Sequence, residues 1–379
     1  MEKTDKTDEK KLIGKKKYAE LLCDFMFKRL FGTVANKDVL IGFLNTVLED
    51  VEIVQYNKIL SHRPSKAAIV ESGPTTRLAV EQVNDPLFNR QWHYYNTGSG
   101  IHEKQVAGKD VNVKEAWLHC TGDPSIIVAV IDEGVDYNHE DLKANMWVNK
   151  GEIANNGIDD DGNGYVDDVH GYNFAHNGRV TWTRSGDQGH GTHVAGTVAA
   201  VNNNGIGVSG VAGGTGNGDG VRIMSCQILS GGKDAGAGGT AKAVEYAADM
   251  GACILQNSWG FQAGQVANDA AFANGTTGVE LEAFHYFMET KNSPALEGGI
   301  IIFAAGNDGK AVAGYPAAYN ELIAVTAIAP DGLPTYYTCY DRGCNVSAPG
   351  GEYYQRGATT IDYGCVVSTM PNNKYARMQ

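Results

Sequence analysis

Ile126-Ile-Val-Ala-Val-Ile131 runs directly into Asp132-Glu-Gly134. An unbroken apolar run rich in β-branched side chains reads as a strand buried on both faces, as in a parallel sheet. In an open α/β sheet, ligands bind just beyond the carboxyl ends of the strands. Asp132 therefore stands where chemistry takes place, although a turn or helix-capping aspartate gives the same local pattern. A second stretch, Gly189-His190-Gly191-Thr192-His193-Val-Ala-Gly196, opens a helical run. Its glycines let another backbone pass close by, and His190 at the helix start is a base that a carboxylate such as Asp132 can orient. His190 and His193 also have the i, i+3 spacing of a metal pair, but the Glu of an HExxH helix and a third ligand are missing. A third stretch, from Gly299 to Asn307-Asp-Gly309, is another buried strand ending in glycine and an amide. Asn307 can donate to a developing oxyanion or hold a turn.

The chain has 379 residues with a net charge of −13, and 48 of them are glycine. That is nearly twice the usual share of about 7%, and it implies many tight turns and close backbone approaches. An acidic surface argues against nucleic acid as a partner. No apolar run reaches the length of a membrane span. The charge is uneven: residues 1–60 carry +1 and the remainder −14. Seven cysteines form no zinc-type pairing. Cys226 and Cys253 lie in apolar runs and read as buried thiols, while Cys339 and Cys344 are spaced so that pairing in an oxidising compartment is open.

Composition divides the chain into four parts. Residues 1–17 read as a disordered charged tail. Residues 18–60 show helical periodicity through Leu21, Leu22, Phe25, Leu30, Val39, Leu40, Phe43, Leu44 and Val47. Residues 61–83 are polar and broken by Pro64 and Gly73-Pro74, as in a linker or the tail of a prodomain. From residue 84 to 379, short apolar runs alternate with glycine-rich loops and helical stretches, which predicts an α/β fold around a mostly parallel sheet. The clearest strands are expected over 126–131, 221–229, 253–258, 300–304 and 322–327. The clearest helices are expected over 110–118, 192–201, 240–250 and 278–290.

The order Asp132, His190, Asn307, each at the end of an apolar run, resembles the subtilisin-like serine peptidases. The likeness is carried by Val128-Ala-Val-Ile-Asp132-Glu-Gly-Val, His139-Glu-Asp-Leu142, His190-Gly-Thr-His-Val-Ala-Gly196, Gly210-Val-Ala212, Asn257-Ser-Trp-Gly260, Ala304-Ala-Gly-Asn307, Tyr315-Pro-Ala317 and Ala348-Pro-Gly350. It implies a three-layer subtilisin-like fold and serine-type endopeptidase activity on polypeptide substrates. By the same resemblance, Asp132 would orient and stabilise the His190 imidazolium, and His190 would serve as general base and then acid. Asn307 would complete the oxyanion hole, a role carried over from subtilisin itself. Ser258, Trp259 and Gly260 would offer a backbone edge to an extended substrate. Ala304, Ala305 and Gly306 would form a wall of the primary specificity pocket. Glu133 departs from the usual Ser or Thr, and a carboxylate there is expected to raise the His190 pKa.

The family carries its nucleophile in Gly-Thr-Ser-Met-Ala, and no Gly-Thr-Ser-Met occurs in these 379 residues. The expectation is a peptidase domain that is incomplete at its C-terminus and inactive on its own. Ser368, more than ten residues before the expected position, is a poor substitute. A peptide-binding remnant without activity is the alternative. Secretion is usual for such peptidases, but the charged N-terminus has no signal-peptide core.

Asp159, Asp161, Asn163, Tyr165 and Asp167 fall at positions 1, 3, 5, 7 and 9 of a loop with Gly164 at 6. This matches the first part of a calcium loop, without the bidentate Glu at 12; a solvated acidic turn is the plainer reading. The resemblance implies a second structural calcium site, in which Asp141 is joined by the loop bearing Asn202, Asn204, Ile206 and Val208. No catalytic cofactor is implied. Residues 18–57 resemble the opening of the PD-(D/E)xK transposase-type nucleases. The part that would hold that family's metal-binding acids does not follow, so a truncated nuclease is the weakest of the functional alternatives.

Overall fold

A computed structural model describes residues 83–99, 105–294, 296–356 and 359–379, and the statements below concern these. The helical periodicity read over 18–60 lies outside them. The strands in chain order are β1 (Ile127–Glu133), β2 (Gly171–Asn173), β3 (Arg222–Ser230), β4 (Lys233–Asp234), β5 (Ile254–Asn257), β6 (Ile300–Ala304), β7 (Ile323–Ile328), β8 (Val346–Pro349), β9 (Tyr354–Arg356), β10 (Thr359–Ile361), β11 (Val366–Met370) and β12 (Lys374–Met378). The helices are α1 (Val113–Ala116), α2 (His190–Ala199), α3 (Gly236–Asp249), α4 (Asp269–Asn274) and α5 (Gly278–Glu289). The main sheet has the order β2-β3-β1-β5-β6-β7-β8, with β4 folded back on β3. Every pairing along that path is parallel. Strands β9 with β10 and β11 with β12 form separate antiparallel pairs.

Side chains alternate across β1, and both faces find cover. Ala129 and Ile131 join Leu255, Ile301 and Phe303 in one cluster, sealed by Ala243, Val244 and Ala247 of α3 and Phe284 and Phe287 of α5. Val128 and Val130 point the other way, against Leu142, Ile223 and Ala195 and Ala199 of α2. Period-two alternation in the strand meets the 3.6-residue stripe of the helices, which makes a three-layer α/β arrangement. All five expected strands form within two residues of their predicted ends.

The helix starts moved for identifiable reasons. The helix expected over 110–118 shrinks to α1, because Asn112 adopts a left-handed conformation (φ 52°) and its N–H is held by the Asp110 carboxylate at 2.7 Å. Helix α3 begins four residues earlier than expected, through Gly236-Ala-Gly-Gly239. Packing against β3 overrides the poor propensity of those glycines. Helix α2 begins at His190 rather than Thr192. Gly189 precedes it at φ 78°, and the Glu133 carboxylate accepts the His190 backbone N–H at 3.0 Å.

Two histidines are sealed inside this packing. His93 is buried, and neither ring nitrogen has a hydrogen-bond partner. Burial, with the neighbouring His193 charge adding to it, pulls its pKa down to about 3. His193 holds the Val366 carbonyl at 3.1 Å, yet burial still pulls it down to about 4. A group depressed in the folded state binds fewer protons there than in the unfolded chain. Its contribution to stability is complete above the ordinary histidine value of 6.5 and is lost as the pH falls toward 4. Replacing the unpartnered ring by an apolar one removes this liability. His93→Phe should therefore move the acid-unfolding midpoint to lower pH, read by far-UV circular dichroism; a midpoint that stays in place would refute the assignment.

Candidate active site

Asp132 ends the buried part of β1 and is 1% exposed. Its Oδ1 accepts the Glu133 backbone N–H at 2.6 Å, which fixes the carboxylate plane. His190 Nδ1 lies 2.8 Å from Oδ1 and 3.0 Å from Oδ2. The approach is possible because Gly191 has no side chain: a Cβ there would stand 2.0 Å from the Glu133 carbonyl oxygen. The carboxylate places the ring proton on Nδ1 and leaves Nε2 as the acceptor. The His190 side chain is 37% exposed, against 1% for Asp132. Burial alone would lower the His190 pKa. The hydrogen bond to Asp132 and the charges of Asp132 and Glu133 more than offset it, and the pKa rises above 6.5. The result is an oriented, partly accessible base at the carboxyl edge of the sheet.

A cleft of about 260 Å³ opens along the same edge, beyond β5 and β6. Ser258, Trp259 and Gly260 form one side; Ala304, Ala305, Gly306 and Asn307 form the other. The two strands are paired as far as Asn257 with Phe303, and past that point the chains part. Trp259 is propped edge-on against Phe303, with ring centroids 5.1 Å apart. The opposite side is tied down by Ala305 N–H to the Val325 carbonyl and by Cys339 N–H to the Gly306 carbonyl, each at 2.9 Å. Asn307 is exposed at the rim. Phe261, Gln262, Asp308 and Gly314 also line the cleft. None was singled out from sequence: Phe261, Gln262 and Asp308 directly follow the Asn257–Gly260 and Ala304–Asn307 stretches, and Gly314 is brought alongside by the fold.

Ser368 is fully buried in β11, and its hydroxyl donates to the His193 carbonyl at 2.7 Å. It is neither free nor directed at Nε2. Cys226, Cys253, Cys339 and Cys344 are free thiols, with Cys226, Cys253 and Cys339 buried.

The acidic residues fall into two groups. Glu152, Asp161 and Asp168 bring carboxylate oxygens within 4.8 Å of one another. Of the loop positions read from sequence, Asp161 belongs to this group and Asn163 reaches it, donating to Asp168 at 3.0 Å. Asp159 instead accepts the Asn163 and Gly164 backbone N–H groups, and Asp167 accepts those of Asn156 and Gly157. The Tyr165 ring packs against Tyr172 and Tyr246. Glu152 and Asp168 were missed as partners; Glu152 lies outside the loop spacing. In the second group, the fully buried Asp141 accepts Asn204 Nδ2 at 2.7 Å and Val208 N–H at 2.9 Å. Asn202 of the same loop has a buried Nδ2 with no partner, and Ile206 N–H is held by Asn204. Asp85, unread in the sequence, accepts Ser209 Oγ at 2.6 Å and the Asn203 N–H at 3.0 Å beside it.

The raised His190 pKa has a testable sign. A group whose pKa is raised on folding adds stability that is complete below the unfolded value and fades as the pH rises through the folded one. Asp132→Asn removes both the charge and the acceptor pair. The His190 midpoint, read by NMR titration of the ring carbons, should then fall, and the share of stability lost between neutral and alkaline pH should disappear. An unmoved midpoint would mean that the pair does not set it.

Residues 123–379 match the subtilase family, and residues 21–71 match the PD-(D/E)XK nuclease family transposases. The second stretch lies outside the described residues. Halolysin of Haloferax mediterranei is 28% identical over 334 residues, covering 84% of this chain and 54% of that protein. The extracellular protease of Xanthomonas campestris is 31% identical over 275 residues, covering 71% of this chain and 42% of that protein. Subtilisin-like protease 1 of Plasmodium vivax is 40% identical over 135 residues, or 35% of this chain and 20% of that protein. The chain thus spans about half the length, or less, of these curated relatives. A solved structure of proteases from Pseudoalteromonas arctica superposes with a TM-score of 0.51 at 26% identity, over 79% of this chain and 82% of that one. The serine protease of Aeromonas sobria, solved with its chaperone, shares the fold with a TM-score of 0.55 at 21% identity, over 76% of this chain and 45% of that one. With its longest family match running from the first buried strand through the Asp132–His190 pair and the cleft, this chain belongs to the subtilase family.

Proposed function

We propose that residues 84–379 carry the base and the substrate groove of a serine-type endopeptidase acting on polypeptides. The observation that carries this reading is the His190 ring, held by both oxygens of Asp132 beside a cleft on the same sheet edge. In this reading His190 Nε2 takes the proton of an attacking hydroxyl and returns it to the leaving amine, while Asp132 stabilises the imidazolium. Asn307 donates to the oxyanion of the tetrahedral intermediate. The backbone of Ser258, Trp259 and Gly260 pairs with an extended substrate, and Ala304, Ala305 and Gly306 border the pocket for one of its side chains.

In this reading these 379 residues supply no hydroxyl nucleophile: they contain no Gly-Thr-Ser-Met, and Ser368 is committed to the His193 carbonyl. A polypeptide of this sequence should bind an unfolded polypeptide without cleaving it and should take up no stoichiometric fluorophosphonate. Ala304 is exposed in the cleft, so Ala304→Phe fills the groove without disturbing the core. It should weaken binding of a labelled unfolded polypeptide about tenfold, the loss of roughly 1.4 kcal/mol of contact. Stoichiometric labelling would overturn the absence of a nucleophile, and binding indifferent to Ala304→Phe would overturn the groove assignment.

We further infer that calcium supports the fold. Asp141 is fully buried, and its carboxyl is pushed up to about 7 by burial, with the charges of Asp85 and Glu140 adding to the rise. No ion pair neutralises it among the described residues, and its acceptor bonds come from the neutral Asn204 amide and Val208 N–H. Hard oxygen donors around an uncompensated buried charge suit Ca²⁺. Asp141 and Asn204 would hold the ion through side-chain oxygens, and Asn202, Ile206 and Val208 through carbonyls. Glu152, Asp161, Asn163 and Asp168 would hold a second. Binding at a hundredfold excess over Kd stabilises by about 2.7 kcal/mol, so chelation should lower Tm by roughly 5–10 °C for a domain of this size. An unchanged Tm after chelation would remove calcium from the account.

A further inference from the structure

Glu133 follows Asp132 in β1, and its side chain turns toward the start of α2 rather than into solvent. Its carboxylate accepts the backbone N–H of Gln188 at 3.1 Å on one oxygen and 3.0 Å on the other, and the N–H of His190 at 3.0 Å. The His190 amide is a donor that a helix start leaves without an intrahelical partner, and the Gln188 amide belongs to the turn that leads into it. The residue preceding the helix is Gly189, which has no side chain with which to cap it. Glu133 thus supplies the cap from a neighbouring strand. It does so on the very turn that presents the imidazole to Asp132. We propose that Glu133 is a positioning residue for His190, clamping through the amides of Gln188 and His190 the turn that holds the ring against Asp132.

The clamp carries a second effect. A carboxylate at a helix N-terminus is favoured by the helix dipole, and it also sets a negative charge near the imidazole. The groups facing His190 are Asp132 and Glu133 on β1 and His193 on its own helix. Strand β11, packed on the other side of α2, contributes no charged side chain. Asp187, in the approach to the helix, is already engaged by the Arg184 and Gly231 N–H groups. Of the two carboxylates that favour the imidazolium, Asp132 does so by direct contact. Glu133 does so by charge alone, while its hydrogen bonds fix the backbone.

The inference rests on reading His190 as the base, but its test does not involve turnover. NMR of the labelled full chain can follow amide exchange at Gln188 and His190 together with the His190 ring titration. Glu133→Ala should speed exchange at both amides about tenfold and lower the His190 midpoint. Glu133→Gln keeps an acceptor and discards the charge; it should lower the midpoint while changing exchange less than Glu133→Ala does. Exchange at both amides unchanged in Glu133→Ala overturns the clamp. If that variant does not fold, Glu133→Gln decides, because a midpoint equal to that of the unaltered chain overturns the charge effect that must accompany the clamp. Since both readouts are independent of peptide binding and cleavage, a protein that shows the expected shifts but does not bind an unfolded polypeptide in the groove sinks only the endopeptidase reading.

Discussion

Strand β1 is buried on both faces and hydrogen-bonded along both edges, to β3 and to β5. Such a strand can offer the solvent only its end. The residues at that end inherit the rigidity of the whole sheet, because none can move without disturbing two ladders and two packed layers. Asp132 and Glu133 occupy it. One orients the His190 ring and the other holds the His190 backbone. A flexible loop could supply the same two carboxylates, but would lose entropy each time it ordered them. The parallel neighbours β5 and β6 end on the same edge, which places the Ser258–Gly260 and Ala304–Asn307 cleft on the sheet edge that carries the Asp132–His190 pair.

Helix α2 shows how a single element creates opposite electrostatics three residues apart. His190, on its first turn, faces two carboxylates and remains partly exposed, so the charged ring is favoured. His193 is turned into the contact with β11, where burial outweighs its carbonyl bond and the neutral ring is favoured. His93 shares that interior and has no bond to soften the cost. Position relative to the sheet edge decides which histidine carries charge; residue type does not.

The same balance governs the acidic groups. Asp141 and Asp168 are both buried and both raised by burial, although each accepts several hydrogen bonds. Donor amides and hydroxyls reduce the cost of burying a carboxylate but do not cancel its charge. That residual charge is the physical argument for a cation at each loop, and it falls on residues that tertiary contact brings together. Glu152 comes from outside the acidic stretch that the spacing pointed to.

Strand identity and the parallel sheet were legible from residues alone, and the family resemblance pointed to the pairing of Asp132 with His190. Buried strands announce themselves by unbroken apolar runs, and glycines beside a His or Asp mark close approach. The cleft residues were legible as well, through family resemblance in the Asn257-Ser-Trp-Gly260 and Ala304-Ala-Gly-Asn307 stretches. Three things were not. The early start of α2 depends on a cap donated by Glu133 from another strand. The acidic trio depends on Glu152 folding back on Asp161 and Asp168. The burial of His93 depends on which layer its aromatic neighbours join. The sequence by itself determined what depends on local periodicity and residue type. Tertiary structure decided every contact between residues far apart in the chain, because hydrogen-bond partners and desolvation are set by what lies opposite in space.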